Sequence, residues 1–154
     1  MRRGLPVPVA DACLLTNVAA DHLGTYGIMD VAALADAKFQ LSDAIRTGGR
    51  LILNADDPEL VKRAAQFSED ITWFGLEFDR PALNIWITGG GRVAFVEDGQ
   101  MVLARNGIVE PVLAVVDFVP ALGGAAKFNV YNALGAICLA DALNLPIDAM
   151  AKGL

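Results

Sequence analysis

The sequence predicts an α/β fold, a three-layer αβα arrangement whose mostly parallel sheet is extended by an antiparallel β meander. Three observations carry that reading. Over residues 1–78, short apolar runs alternate with helix-like segments, the rhythm of a parallel sheet with crossover helices. Over residues 83–118 the chain alternates in period two and is punctuated by Asp-Gly and Asn-Gly, strong hairpin signals. Over residues 128–154 the pattern is helical. These segments are expected to form one domain over 1–154. A chain of 154 residues that is 55% apolar is long enough for a sizeable core and too apolar for intrinsic disorder.

The elements follow in order. Ala10 to Val18 reads as a buried strand, bounded upstream by Pro6 and Pro8. A polar loop follows from Asp21 to Gly27. Asp30 is the expected N-cap of a helix from Val31 to Thr47, with Gly48-Gly49 closing it. Leu51-Ile52-Leu53 forms a second strand that ends in Asn54-Ala55-Asp56-Asp57-Pro58. Asp57 as N-cap and Pro58 at the first helical position open a helix to Phe67. Ile71 to Leu76 is the third strand. The meander turns at Glu97-Asp98-Gly99-Gln100 and at Arg105-Asn106-Gly107-Ile108. After Gly123-Gly124 a helix is expected from Asn129 to Leu143, then a short one from Pro146. Both ends fall beside core elements, so the chain reads as part of a larger unit.

Charge narrows the partners. Lys and Arg number 12 against 18 Asp and Glu, a net charge of −6 with a pI near 4.6. With no basic block, this argues against nucleic acid and against an anionic membrane surface. No apolar stretch approaches the roughly 18 to 20 residues of a membrane helix. Met1-Arg2-Arg3 ahead of Leu5 to Leu15 has the outline of a signal peptide, which Pro6, Pro8 and Asp11 interrupt. Cys13 and Cys138 lie in apolar runs and read as buried thiols. The expected setting is the cytoplasm.

Several residues are candidates for chemistry. His22 is the only histidine, so a two-histidine metal pair is excluded. It sits just after the first strand, at the carboxyl-end rim where α/β sheets bind ligands. A loop histidine commonly bonds its own turn; Asp21 beside it also permits a carboxylate–imidazole pair or a shared metal site. Lys38 falls in the middle of an apolar stripe at 31, 34, 41 and 45. It can snorkel, with its stem buried and its amine at the rim. Alternatively a neutral buried amine there can capture carbon dioxide, giving an anionic carbamate able to bind magnesium.

Asn54, Asp56 and Asp57 also stand at a strand end. Asp57 is accounted for as a cap; Asn54 and Asp56 are expected to face the same rim as His22. Asn129 is a good N-cap for the last long helix, and Asn132, one turn in, offers an amide that can read a purine edge. The phosphate-loop pattern G-x-x-x-x-G-K-[ST] and the pattern G-x-G-x-x-G are absent. Gly89-Gly90-Gly91 and Gly123-Gly124 read as turns beside hairpins. No Ser or Cys nucleophile is set beside a base.

Three segments in order resemble one family. Thr16-Asn17-Val18-Ala19-Ala20-Asp21-His22-Leu23-Gly24, with Lys38 sixteen residues beyond His22, resembles the T-N-x-x-x-D-H-[LM]-to-lysine segment of Mur ligases. Leu53-Asn54-Ala55-Asp56-Asp57-Pro58 resembles their N-A-D-D strand end, and Phe128-Asn129-Val130-Tyr131-Asn132-Ala133-Leu134 their H-N-x-x-N-A-L helix start. Arg2-Arg3-Gly4-Leu5, the histidine loop, the Val93 to Arg105 meander and Phe128 resemble the branch that adds arginine to an aspartate polymer.

The resemblance implies an ATP-dependent ligase that activates a carboxylate as an acyl phosphate and joins it to an amine. It implies His22 as a magnesium ligand, Lys38 as a carbamylated lysine serving metal and catalysis, and Asn132 on adenine with Asn129 in support. ATP, magnesium, arginine and the aspartate polymer are the implied partners. The family's phosphate loop and acidic metal ligand precede the segment matching Arg2, and its C-terminal domain follows the segment matching Leu154. The chain is therefore expected to be the later half of a central ATPase domain, inactive alone and able to form a homo-oligomer through an exposed apolar face. Other expectations are a peptidoglycan-precursor or folylpolyglutamate ligase, or a catalytically silent α/β binding module.

Overall fold

A computed structural model describes residues 8–20, 24, 27–67 and 70–154 and builds them around a six-stranded sheet. The strands β1 (Ala10–Leu15), β2 (Ile45–Asn54), β3 (Ile71–Phe74), β4 (Arg92–Glu97), β5 (Gln100–Arg105) and β6 (Ile108–Ala114) lie in sequential order. From β1 to β4 all pairings are parallel; β4, β5 and β6 pair antiparallel. The three parallel connections run through α1 (Val31–Phe39), α2 (Pro58–Ala64) and α3 (Arg80–Thr88). Right-handed crossovers between successive strands place all three helices on one face. The helices α4 (Lys127–Ala142) and α5 (Ile147–Gly153) cover the other.

Period-two alternation within the strands feeds both layers. Leu51 and Leu53 pack in the cluster under α1 and α2, while Ile52 between them packs under α4. Val93 and Phe95 likewise face α3, and Ala94 faces α4. The three-layer αβα fold with an antiparallel extension is thus the one the sequence pattern predicts.

Individual elements differ from that pattern. The first helix ends at Phe39, a 3-10 turn covers Gln40–Ala44, and Ile45 already belongs to β2. The apolar spacing misleads because Val31, Leu34, Leu41 and Ile45 pack against one cluster although the backbone changes type along them. Gly48-Gly49 does not stop a helix; it forms a bulge in β2. There β2 advances from Ile45 to Arg50 while β1 advances only from Ala10 to Ala12. Gly48 takes a φ of +76°. A Cβ on Gly49 would lie 2.8 Å from the Asp11 carbonyl oxygen and 2.9 Å from that of Arg46. Gly49→Ala is therefore expected to lower stability by about 1–3 kcal/mol, measured as a shifted urea midpoint. An unchanged midpoint would mean that the bulge repacks freely.

Residues 83–88 are helical rather than part of the meander. Leu83, Ile85 and Ile87 alternate, but Asp79 caps a helix by accepting from Ala82 N at 3.1 Å, and Leu83 and Ile87 bury one turn apart. Gly89 to Gly91 link α3 to β4. Gly123 and Gly124 follow Leu122 in a left-handed run leading into α4, so each glycine group adjoins a helix. The last long helix starts at Lys127 with Ala126 at the cap, which places Asn129 inside its first turn.

Cys138 is buried and Cys13 only half-buried; burial pushes the Cys13 thiol up to about 11 and Cys138 higher still. Near its C-terminal end α4 is anchored by Asp141, which lies among Arg50, Arg92 and Arg105. Among the described residues, no helix is long and apolar enough to cross a membrane.

Candidate functional site

The carboxyl ends of β1, β2 and β3 form a rim built from Thr16–Val18, Asn54–Asp57 and Gly75–Glu77. Asn54 is buried there, and its amide donates to the Thr16 carbonyl at 3.0 Å. Its own oxygen accepts from Asp56 N at 2.9 Å, a local turn that aims the Asp56 carboxylate away from β2. Asp57 accepts from Glu59 N and Leu60 N with one oxygen and from Val18 N at 2.6 Å with the other. It therefore caps α2 and joins β1 to β2 at once.

Asp56 reaches further. It accepts from Leu76 N at 2.7 Å and, more loosely, from Glu77 N beyond β3. Gly75 permits this, since a Cβ there would stand 3.0 Å from the carboxylate. The Tyr131 hydroxyl donates to the same Asp56 oxygen at 2.7 Å, which ties the start of α4 to the rim. Burial first, and then this carboxylate, push the Tyr131 phenol above its usual range. Asn54 and Asp56, expected to face the rim without structural work, are thus taken up in holding it together.

Lys38 projects from α1 toward the same rim. It is half-buried, and its Nζ donates to the Asn17 carbonyl just past β1 at 2.7 Å. This is the snorkelling geometry, with the amine delivered to the site's edge. The bonds Lys38–Asn17, Asn54–Thr16, Asn54–Asp56 and Asp56–Tyr131 carry a nearly continuous link from α1 across the rim to α4. At the α4 end, the Asn129 amide donates to the Pro120 carbonyl at 2.7 Å, fixing the first turn instead of capping it. Asn132 is exposed, and its amide bonds none of the described residues.

Asp21 and His22 lie outside the described residues. The structure brings Lys38, Asn129 and Asn132 to one end of the fold; Tyr131, which sequence reasoning missed, completes the connection. No local signal marks Tyr131, because its partner is 75 residues away. Chemically, the rim offers the Lys38 amine, while the carboxylates of Asp56 and Asp57 already accept backbone N–H groups. It is suited to binding and orientation more than to proton abstraction by Asp56 or Asp57. Magnesium takes oxygen ligands, yet no three His, Cys, Asp or Glu side chains gather as a metal site among the described residues. The described residues alone do not complete a magnesium site.

A family model described as the Mur ligase middle domain matches residues 7–140. The chain is 30% identical over 154 residues to a cyanophycin synthetase of a Synechocystis species, covering 99% of this chain and 18% of that protein. It is 29% identical to the cyanophycin synthetase of Trichormus variabilis, covering 100% of this chain and 17% of the other. It is 34% identical over 143 residues to a UDP-N-acetylmuramoylalanine–D-glutamate ligase of Chlorobaculum parvum, covering 92% and 29%. The chain thus spans about a fifth of the length of the cyanophycin synthetases that it matches. Among solved structures, MurF from Acinetobacter baumannii shares the fold, with a TM-score of 0.61 and 22% identity over 94% of this chain and 28% of that one.

Proposed function

The chain belongs to the Mur ligase middle-domain family, and on that premise we propose that it is the later half of the central ATP-binding domain of a cyanophycin-synthetase-type ligase, which adds arginine to an aspartate polymer. The observation that carries this reading is the rim at the ends of β1, β2 and β3, to which Lys38 and the start of α4 both converge. ATP would supply the phosphoryl group that activates the acceptor carboxylate.

Within this reading each residue of the chain has a stated part. Asn132 presents its amide to the adenine edge, and Asn129 holds the first turn of α4 in place through Pro120. Tyr131 and Asp56 set the distance between α4 and the strand ends. Lys38, as a carbamate and together with His22, would hold magnesium, and the setting is the cytoplasm. By itself this chain is expected to turn over little ATP.

The test is made on the polypeptide that carries this chain. ADP release is expected to require arginine with an aspartate polymer, and Asn132→Ala is expected to raise the KM for ATP about tenfold with the fold intact. Release driven instead by muramyl substrates would favour a peptidoglycan-precursor ligase, a reading that the 34% identity to the Chlorobaculum enzyme supports. An unchanged KM for ATP in the Asn132 variant would remove the adenine assignment.

A further inference from the structure

The sheet face that carries α1, α2 and α3 is not closed evenly. Its apolar residues fall into one cluster under α1 and α2 and another under α3, and Trp73 of β3 touches both. Between α2 and α3, above this seam, lies a cavity of about 460 Å³. That is within the range small molecules fill. Trp73, Phe78 and Trp86 supply its aromatic walls, and Glu77 and Asp79 line it as exposed carboxylates.

The wall at Trp86 is preformed. Its indole N–H donates to the Arg92 carbonyl at 3.2 Å, and its ring lies against Gly91, where a Cβ would come within 2.3 Å of Nε1. A large aromatic ring is therefore held in place while remaining 39% exposed. Neighbours engage the two carboxylates only loosely. Asp79 uses Oδ2 to cap α3, and Glu77 has Lys127 at 3.9 Å, both of those side chains being largely exposed.

We propose that this pocket binds a small planar organic cation, with its flat face on Trp73 and Trp86 and its charge toward Glu77 and Asp79. Aromatic faces attract cations through their quadrupole, and a delocalised amidinium or guanidinium is weakly hydrated, so it stacks at low desolvation cost. A neutral molecule of the same shape gains only the apolar contact. The pocket is separate from the Asn132 and Lys38 assignments and requires neither nucleotide nor metal.

The chain has two tryptophans, and both line the pocket, so intrinsic fluorescence reports on it directly. Titration of the nucleotide-free protein with benzamidine is expected to give a saturable change, with binding about tenfold tighter than for the neutral benzamide. The double variant Glu77→Gln, Asp79→Asn removes both charges, and Asn keeps the helix cap. It is expected to abolish the preference for benzamidine while leaving benzamide binding as it was. No saturable change, equal binding of the two probes, or a preference that survives the double variant would each overturn the proposal.

Discussion

Asp141→Ala is expected to lower the unfolding free energy by about 3–5 kcal/mol, the largest stability loss of any single change proposed for this chain. Asp141 is 3% exposed and accepts from Arg50 Nη1 at 2.5 Å and Arg105 Nη1 at 2.7 Å, with Arg92 Nε at 3.3 Å. Removing the carboxylate leaves three guanidinium groups converging on an apolar methyl. Arg105 retains Glu110 at 3.0 Å, and among the described residues Arg92 has only Asp70 at 4.0 Å. Arg50 keeps no other carboxylate among the described residues.

Asp141 is the chief cause that raises the Arg105 guanidinium above its usual range, and arginine keeps its proton even without that partner, so it cannot escape the loss by giving it up. Partial exposure of the three arginines, between 16% and 25%, sets the expectation toward the lower end of the range. Asp141→Asn keeps the shape and one acceptor and is expected to lose less. A loss below about 1 kcal/mol in the alanine variant would mean that the arginines turn to solvent without cost. The consequence reaches the other end of α4, where Tyr131 meets Asp56 of the rim.

Lys38→Ala is the second large effect, and it is one of activity. In the polypeptide that carries this chain, ligation is expected to fall about a hundredfold or more. Stability should change by only about 1 kcal/mol, since among the described residues the amine's one bond is to the Asn17 carbonyl at the rim. Lys38→Arg separates the two roles open to this side chain. Arginine keeps the positive charge and can reach the same carbonyl, but it does not form the lysine carbamate. Failure of both variants to ligate, with unfolding midpoints near that of the parent, supports catalysis through Lys38. Ligation that survives Lys38→Ala would leave Lys38 as a strut between α1 and β1.

Much of the fold is legible because its signals are local. Asp30 and Asp57 read as caps and act as caps, each accepting from a backbone N–H within three residues. Asp98-Gly99 and Asn106-Gly107 read as hairpin turns, and all four residues take the positive φ that such turns require. The errors arise where one pattern serves two conformations. The spacing of Val31, Leu34, Leu41 and Ile45 continues through a helix, a 3-10 turn and a strand because all four meet the same cluster. Leu83, Ile85 and Ile87 satisfy period two while the backbone is helical.

The candidate site divides the same way. Lys38, Asn129 and Asn132 stand out by type and spacing, and the three motifs around them mark the family. What each group is free to do is decided by partners far along the chain. Asp56 meets Tyr131 across 75 residues, Lys38 meets Asn17 across 21, and Arg50 meets Asp141 across 91. Caps, turns and strand alternation depend on energies set within a few residues, so the sequence by itself determined the layered α/β class, the family and the order of elements apart from α3. Which carboxylates are committed to backbone N–H groups, which amide remains free and where two tryptophans enclose a cavity were decided only by the tertiary structure, because those contacts exist only once distant segments pack against one another.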